Sequence, residues 1–464
     1  LAAEVEASLE QPVTAAELAA WLSAQPLGED KLKPVLRQLK QRAYARIAAR
    51  DLAGLAPLAE VTECMTQIAE LAVGTAVEVL GRGLIERYGA PRGADGRLQE
   101  LIVVGMGKLG GRELNVSYDI DLIFVFPEDG ETDAVNASSR SISNFEFFTR
   151  LGRGLINAIA EVTGDGQVFR VDMRLRPNGE SGPLVCSFDM LENYFITQGR
   201  EWERYAWIKA RPLTGSRHEE LEQIRRPFVF RKYLDFGAIN AMRELHAQIR
   251  QEVAKKDMAD NVKLGPGGIR EIEFIAQVFQ LIRGGRDPAL QIKPTLQVLQ
   301  RLADQGLLAA EAVGELAAAY DFLRRAEHRL QYLDDAQTHM LPTNEADRAL
   351  VARAMGYGSC EGLLVELDDH RANVARHFEA VFADPNRGEH KLAGMWRGAG
   401  GGDQAEEFSR LGYRHPGEAA TRVAALREGP RYRQLAASIR ERFDALVPPL
   451  IQAAAEMPNP DATL

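Results

Sequence analysis

The stretch Leu101-Ile-Val-Val-Gly-Met-Gly-Lys-Leu-Gly-Gly-Arg-Glu-Leu-Asn-Val-Ser-Tyr-Asp-Ile-Asp-Leu-Ile-Phe-Val-Phe126 sets how the rest of the chain is read: two apolar runs and a glycine-rich turn bracket two carboxylates. Alternation through Asp119, Ile120, Asp121 and Leu122 has the period of a β-strand, which sends both aspartates to one face and both apolar residues to the other. Hard divalent cations take oxygen ligands, commonly one or two carboxylates completed by phosphate oxygens. Two such ions can clamp the attacking and leaving oxygens of an in-line displacement. The pair therefore reads as a Mg²⁺ site, with Mn²⁺ as the alternative ion, at the centre of a metal-dependent nucleotidyl-transfer site.

Gly105-x-Gly107-x-x-Gly110 has the letters of a dinucleotide-binding fingerprint. That motif needs a full helix, roughly 10 residues or more, before its next strand, and only Arg112 to Tyr118 separate Gly111 from Asp119. A tight turn fits the spacing instead. Its N–H groups, those of Gly110 and Gly111 foremost, are expected to approach phosphate oxygens because no Cβ stands in the way.

The 464-residue chain is long enough for several domains, and 45% hydrophobic residues suffice for their cores. A net charge of −10 argues against a long nucleic-acid footprint, which needs a clustered basic face. Cys64, Cys186 and Cys360 are widely spaced and form no zinc-ligand pattern, as expected of a reducing cytoplasm. No apolar run reaches the ~18 residues of a membrane helix, and no export signal opens the chain. A cytoplasmic protein without membrane or nucleic-acid partners is expected. The start at Leu1 rather than Met, and the ending Asp461-Ala-Thr-Leu464, point to a piece of a longer polypeptide.

Residues 1–88 carry apolar residues at three- and four-residue intervals and read as a helical scaffold. Residues 89–220 form the core: a Gly/Pro/Asp loop to Gly96, the two strands, a helix from about Ser138 to Thr163, and a strand Gln167–Pro177. Alternation puts Arg170, Asp172, Arg174 and Arg176 on one face of that strand. Asp172 is then a third carboxylate for the metal or for a proton, with Arg174 and Arg176 as phosphate partners. A short strand Leu184–Phe188 and a helix follow, then Gly199–Pro212, where Trp202, Tyr205 and Trp207 read as docking residues and Arg204, Lys209 and Arg211 as a basic wall. Residues 221–385 read as a helical bundle. At Lys263-Leu-Gly-Pro-Gly-Gly-Ile-Arg-Glu-Ile-Glu-Phe274 a glycine turn opens a helix with Arg270, Glu273 and Gln277 opposite its apolar stripe. Residues 386–464 read as a glycine-rich linker and further helices.

The motifs Gly105–Phe124, Val171-Asp-Met-Arg-Leu-Arg-Pro177, Gly182-Pro-Leu-Val185 and Lys263–Phe274 resemble the bifunctional glutamine synthetase adenylyltransferase/adenylyl-removing enzyme family, of the DNA polymerase beta-like nucleotidyltransferase superfamily. The resemblance covers most of the chain but only one catalytic motif. It implies an α+β fold: a predominantly helical chain around a small mixed-sheet core, followed by a helical bundle. It makes Asp119, Asp121 and Asp172 both catalytic residues and metal ligands. Gly110, Gly111, Lys108, Ser117, Arg174, Arg176, Lys209 and Arg270 become the candidate phosphate- and nucleotide-binding residues. One departure is Tyr118, where the family carries serine. Gly182-Pro-Leu-Val185 and Trp202-Glu-Arg-Tyr-Ala-Trp-Ile-Lys-Ala-Arg211 are similar to the removing half, which implies phosphorolysis of adenylylated glutamine synthetase by inorganic phosphate to give ADP. The uridylylated PII signalling protein and glutamine are the implied regulators. Forward adenylyl transfer from ATP and a non-catalytic docking module are the alternatives.

Overall fold

The computed structural model describes residues 2–117, 119–133, 141–232, 260–334, 337–382, 396, 404–435, 437–455, 457 and 459–463. Tyr118, the start of the helix expected at Ser138 and most of the expected linker lie outside these. The described residues form two compact units, Leu1–Phe378 and Glu379–Leu464.

The first unit is built on a mixed sheet of β1 (Ile102–Gly105), β2 (Ile120–Phe126), β3 (Val171–Asp172), β4 (Val185–Ser187) and β5 (Arg211–Pro212). β1 pairs antiparallel with β2 on one edge and with β5 on the other. β3 and β4 both run parallel to β2, β3 against Ile120 and Asp121, β4 against Phe124 to Phe126. Since β1 holds the first edge of β2, these two strands share the second edge in succession. The chain between them has to leave the sheet after Asp172 to make room for Val185. This corrects the expected strand Gln167–Pro177, which is only two residues long.

β2 is apolar on both faces except at Asp121, as a central strand covered by helices must be. Helix Asn144–Ala160 covers one face; Ser143 caps it by accepting from the Glu146 N–H at 3.2 Å. Its buried stripe is Phe147, Phe148, Leu151, Leu155 and Ile159, and the Phe126 and Phe148 rings pack at 5.0 Å. At Gly152 a Cβ would lie 2.8 Å from the Phe124 ring, so only glycine lets helix and sheet approach this closely.

The N-terminal helices Glu29–Leu52 and Leu58–Tyr88 pack on this layer and share its core. Arg37 joins the two regions: its guanidinium donates to the carbonyls of Ala158 and Glu161 at the helix C-terminus and to Gly166 O. From the far end of the sequence, helix Ala310–Asp334 closes the unit, its Arg329 donating to both Asp51 carboxylate oxygens. The second unit has its own apolar core around Trp396, Phe408, Tyr413 and Ile451.

Candidate active site

A cleft of about 460 Å³ opens over the N-terminal end of β2. Gly107, Lys108 and Asp121 form its floor; Lys263, Arg270, Glu273 and Gln277 form one wall; Trp202, Tyr205 and Leu175 line the rest. The short helix Gly107–Gly110 joins β1 to the acid-bearing segment, and Met106 N–H donates to Asp121 O at 2.9 Å, tying the turn to the strand. Gly107 sits at φ +51, and a Cβ there would approach Asp121 Oδ2 to 3.0 Å. The fingerprint glycines thus build a four-residue helix between antiparallel strands, not a dinucleotide fold.

The register sets Asp121 beside Asp172 across β2 and β3. Burial and then repulsion from Asp172 and Asp119 push the Asp121 carboxyl up to about 7, against the pull of Lys263. Asp119 accepts from Arg170 Nε at 2.5 Å. Asp172 accepts from the Arg174 backbone N–H at 2.8 Å and from its guanidinium. Among the described residues no three His, Cys, Asp or Glu side chains converge closely enough to hold a metal ion, with Asp119 and Asp172 each turned onto an arginine. The donor set still fits a hard divalent cation. All three groups are carboxylates, and the repulsion that raises Asp121 is what a cation among them would relieve.

Of the expected phosphate and nucleotide residues, Lys108, Lys209 and Arg270 line the cleft. Lys108 is buried, its Nζ without a hydrogen-bond partner among the described residues and 3.6 Å from Glu273. Burial and then Arg324 bring its ammonium down to about 8. Lys209 is engaged beneath the surface, donating to Glu113 Oε2 at 2.6 Å and Thr295 Oγ1 at 3.0 Å. Glu273 stays ionised: burial opposes this, but Lys108, Lys209, Lys263 and Arg324 bring it to about 2.

Other candidates are elsewhere. Gly110 and Gly111 do not line the cleft; their N–H groups donate to Met106 O and Gly107 O inside the turn. Gly110 is glycine because a Cβ would lie 2.0 Å from Lys209 O. Arg176 is drawn back into its own turn, donating to Met173 O at 2.8 Å and Glu180 O at 3.1 Å. The reason is the early end of β3, which breaks the expected alternation. Arg174 remains beside Asp172, with a largely exposed side chain. Ser117 is buried, its N–H donating to Gln331 Oε1 at 3.1 Å. Of the expected basic wall, Arg211 donates to the carbonyls of Leu109 and Gly110 and pairs with Glu70, while Arg204 is buried against Phe228 and Val229 carbonyls.

Gly107, and Trp202 and Tyr205 as cleft walls, are positions that sequence reasoning did not single out. Trp202 is 42% exposed whereas Trp207 is buried, so one aromatic cluster divides between cleft and core. Buried charges on helix Ala310–Asp334 were also missed, though Arg324-x-x-Glu327 on an otherwise amphipathic helix is a sequence signal for them. Arg324 donates to Asn115 Oδ1, Glu113 O at 2.7 Å and the Tyr320 hydroxyl at 2.7 Å, fixing the segment that leads to the aspartates.

Residues 3–226 match the family described as Glutamate-ammonia ligase adenylyltransferase, and residues 243–382 match that described as GlnD PII-uridylyltransferase. Among curated proteins, the bifunctional glutamine synthetase adenylyltransferase/adenylyl-removing enzyme of Aromatoleum aromaticum is 61% identical over the whole chain and 49% of its own length. Its namesake in Chromobacterium violaceum is 52% identical over 99% of this chain and 51% of its own length. The chain thus spans about half the length of the curated relatives it matches. With identity this high from end to end, the chain is similar over its whole length to about half the length of these bifunctional glutamine synthetase adenylyltransferase/adenylyl-removing enzymes.

Proposed function

We propose that this chain is an adenylyl-removing unit, a nucleotidyltransferase that cleaves AMP from an adenylylated tyrosine of glutamine synthetase with inorganic phosphate. The observation that carries the proposal is one cleft shared by Asp121 and the cations Lys108, Lys263 and Arg270. A phosphodiester and a phosphate ion repel each other, so their reaction needs positive charge on both.

Asp119, Asp121 and Asp172 would hold Mg²⁺ or Mn²⁺, which supplies charge neutralisation at the phosphate oxygens. Lys108 and Arg270 add fixed cations along the floor and wall, and Lys263 lies on the same wall. Trp202 and Tyr205 offer an apolar surface to the nucleoside end of the substrate. A phosphate oxygen attacks the adenylyl phosphorus as the bond to the tyrosine oxygen breaks. The proton of hydrogen phosphate passes to that oxygen, giving ADP and free tyrosine with no further reactant.

The match of residues 243–382 to the PII-uridylyltransferase family, with the Gly182-Pro-Leu-Val185 and Trp202–Arg211 wording, favours removal over attachment. Control by uridylylated PII and glutamine belongs to the same reading. So does a cytoplasmic setting: among the described residues no helix is long and apolar enough to cross a membrane. The test supplies adenylylated glutamine synthetase, Mg²⁺ and labelled phosphate. Label in ADP supports removal by phosphorolysis. Release of AMP without phosphate, or transfer from ATP onto unmodified glutamine synthetase as the sole activity, overturns it.

A further inference from the structure

The acids are held from a distant part of the chain. Helix Ala310–Asp334 reaches the segment before β2 at two points, Arg324 on Asn115 and Gln331 on the Ser117 N–H. Just beyond that helix, Gln337 meets Asp119. With its amide nitrogen toward the carboxylate, Gln337 donates to Oδ2 at 3.2 Å and Oδ1 at 3.3 Å; in the reverse orientation its oxygen faces the carboxylate and accepts from Arg170 Nη2 at 3.4 Å, a weaker fit. Arg170 Nε donates to Oδ1 of the same carboxylate at 2.5 Å. Asp119 is therefore gripped from β3's side by a charged donor and from the helical region by a neutral one.

We infer that Gln337 is a positioning residue for Asp119, and that through it the helical region fixes where this carboxylate stands relative to Asp121 and Asp172. A ligating carboxylate keeps its orientation through the hydrogen bonds its other lone pairs accept, and losing such a partner typically weakens metal binding ~10–100-fold. A neutral amide suits this role. It orients the oxygens without a cation that would compete with the metal, whereas Arg170 has to share Asp119 with it.

The inference rests on the three aspartates being metal ligands, and its test separates the two. Mn²⁺ affinity is measured by electron paramagnetic resonance on the full chain and on Gln337→Met and Gln337→Ala. Gln337 is exposed, so the metal-free melting temperature should stay within about 2 °C. The expected result is affinity lowered about tenfold or more in both variants with melting unchanged. A purely structural role would move melting and affinity together, and that result overturns the inference. Affinity within about threefold of the unsubstituted chain overturns the role of Gln337 while leaving the metal site standing. Absence of Mn²⁺ binding by the unsubstituted chain overturns both.

Discussion

β2 and the segment from Arg170 to Arg176 offer the same signal, acids alternating with other residues, yet they fold differently. β2 runs seven residues with its ladder filled on both edges, and its alternation places Asp121 in the cleft. The second segment is a strand for two residues only, because β4 takes over the edge of β2 from Phe124 onward. Asp172 therefore arrives in register with Asp121, while Arg176 turns back onto its own loop. Periodicity predicts which side chains share a face only for as long as a neighbouring strand holds the ladder.

The largest effect that would break this contrast comes from β2. Asp121→Asn should lower adenylyl removal by more than about a hundredfold, over ~2.7 kcal/mol of transition-state stabilisation. A loss under about tenfold in kcat/KM would remove Asp121 from the chemistry.

The glycine turn separates packing from chemistry next. Gly110→Ala drives a Cβ to 2.0 Å from Lys209 O and should destabilise the fold by several kcal/mol, roughly the upper range of overpacking. Gly107→Ala meets Asp121 Oδ2 at 3.0 Å and places a side chain at φ +51, a strain of about 1–2 kcal/mol, so its stability loss should be the smaller of the two and its effect should fall mainly on activity. Urea melts and kinetics of the pair check this. A Gly110→Ala variant as stable as the unsubstituted chain would mean that Gly110 is not a packing glycine.

The smallest effect distinguishes the two arginines. Arg176→Lys loses a fork that gathers carbonyls of its own turn and should cost about 1 kcal/mol in a urea melt with KM for phosphate unchanged. Arg174→Lys, beside Asp172 and exposed, should do the reverse, changing phosphate use with little change in stability. A raised KM for phosphate in the Arg176 variant would return that residue to the site.

Much of the site's inventory was legible because it is local. The alternation at Asp119–Leu122 and the polar face Arg270, Glu273, Gln277 are short-range patterns, and both Asp121 and that polar face line the cleft. What escaped depends on long-range packing. Gly110 faces Lys209, and Asn115 meets Arg324, across spans that no local pattern encodes. Lys209 was legible as a cation near the site but not as one held by Glu113 and Thr295.

The proposed cation site takes three carboxylates, Asp119 just before β2, Asp121 on β2 and Asp172 on β3. Thermal melting of the chain and of Asp121→Asn, each with and without Mg²⁺ or Mn²⁺, tests it most directly. The substitution removes a half-buried charge repelled by Asp172 and Asp119, so without metal the variant should melt no lower than the parent. Metal should raise the melting temperature of the parent and leave that of the variant unmoved. An equal metal-induced rise in both proteins, or none in either, would contradict the account.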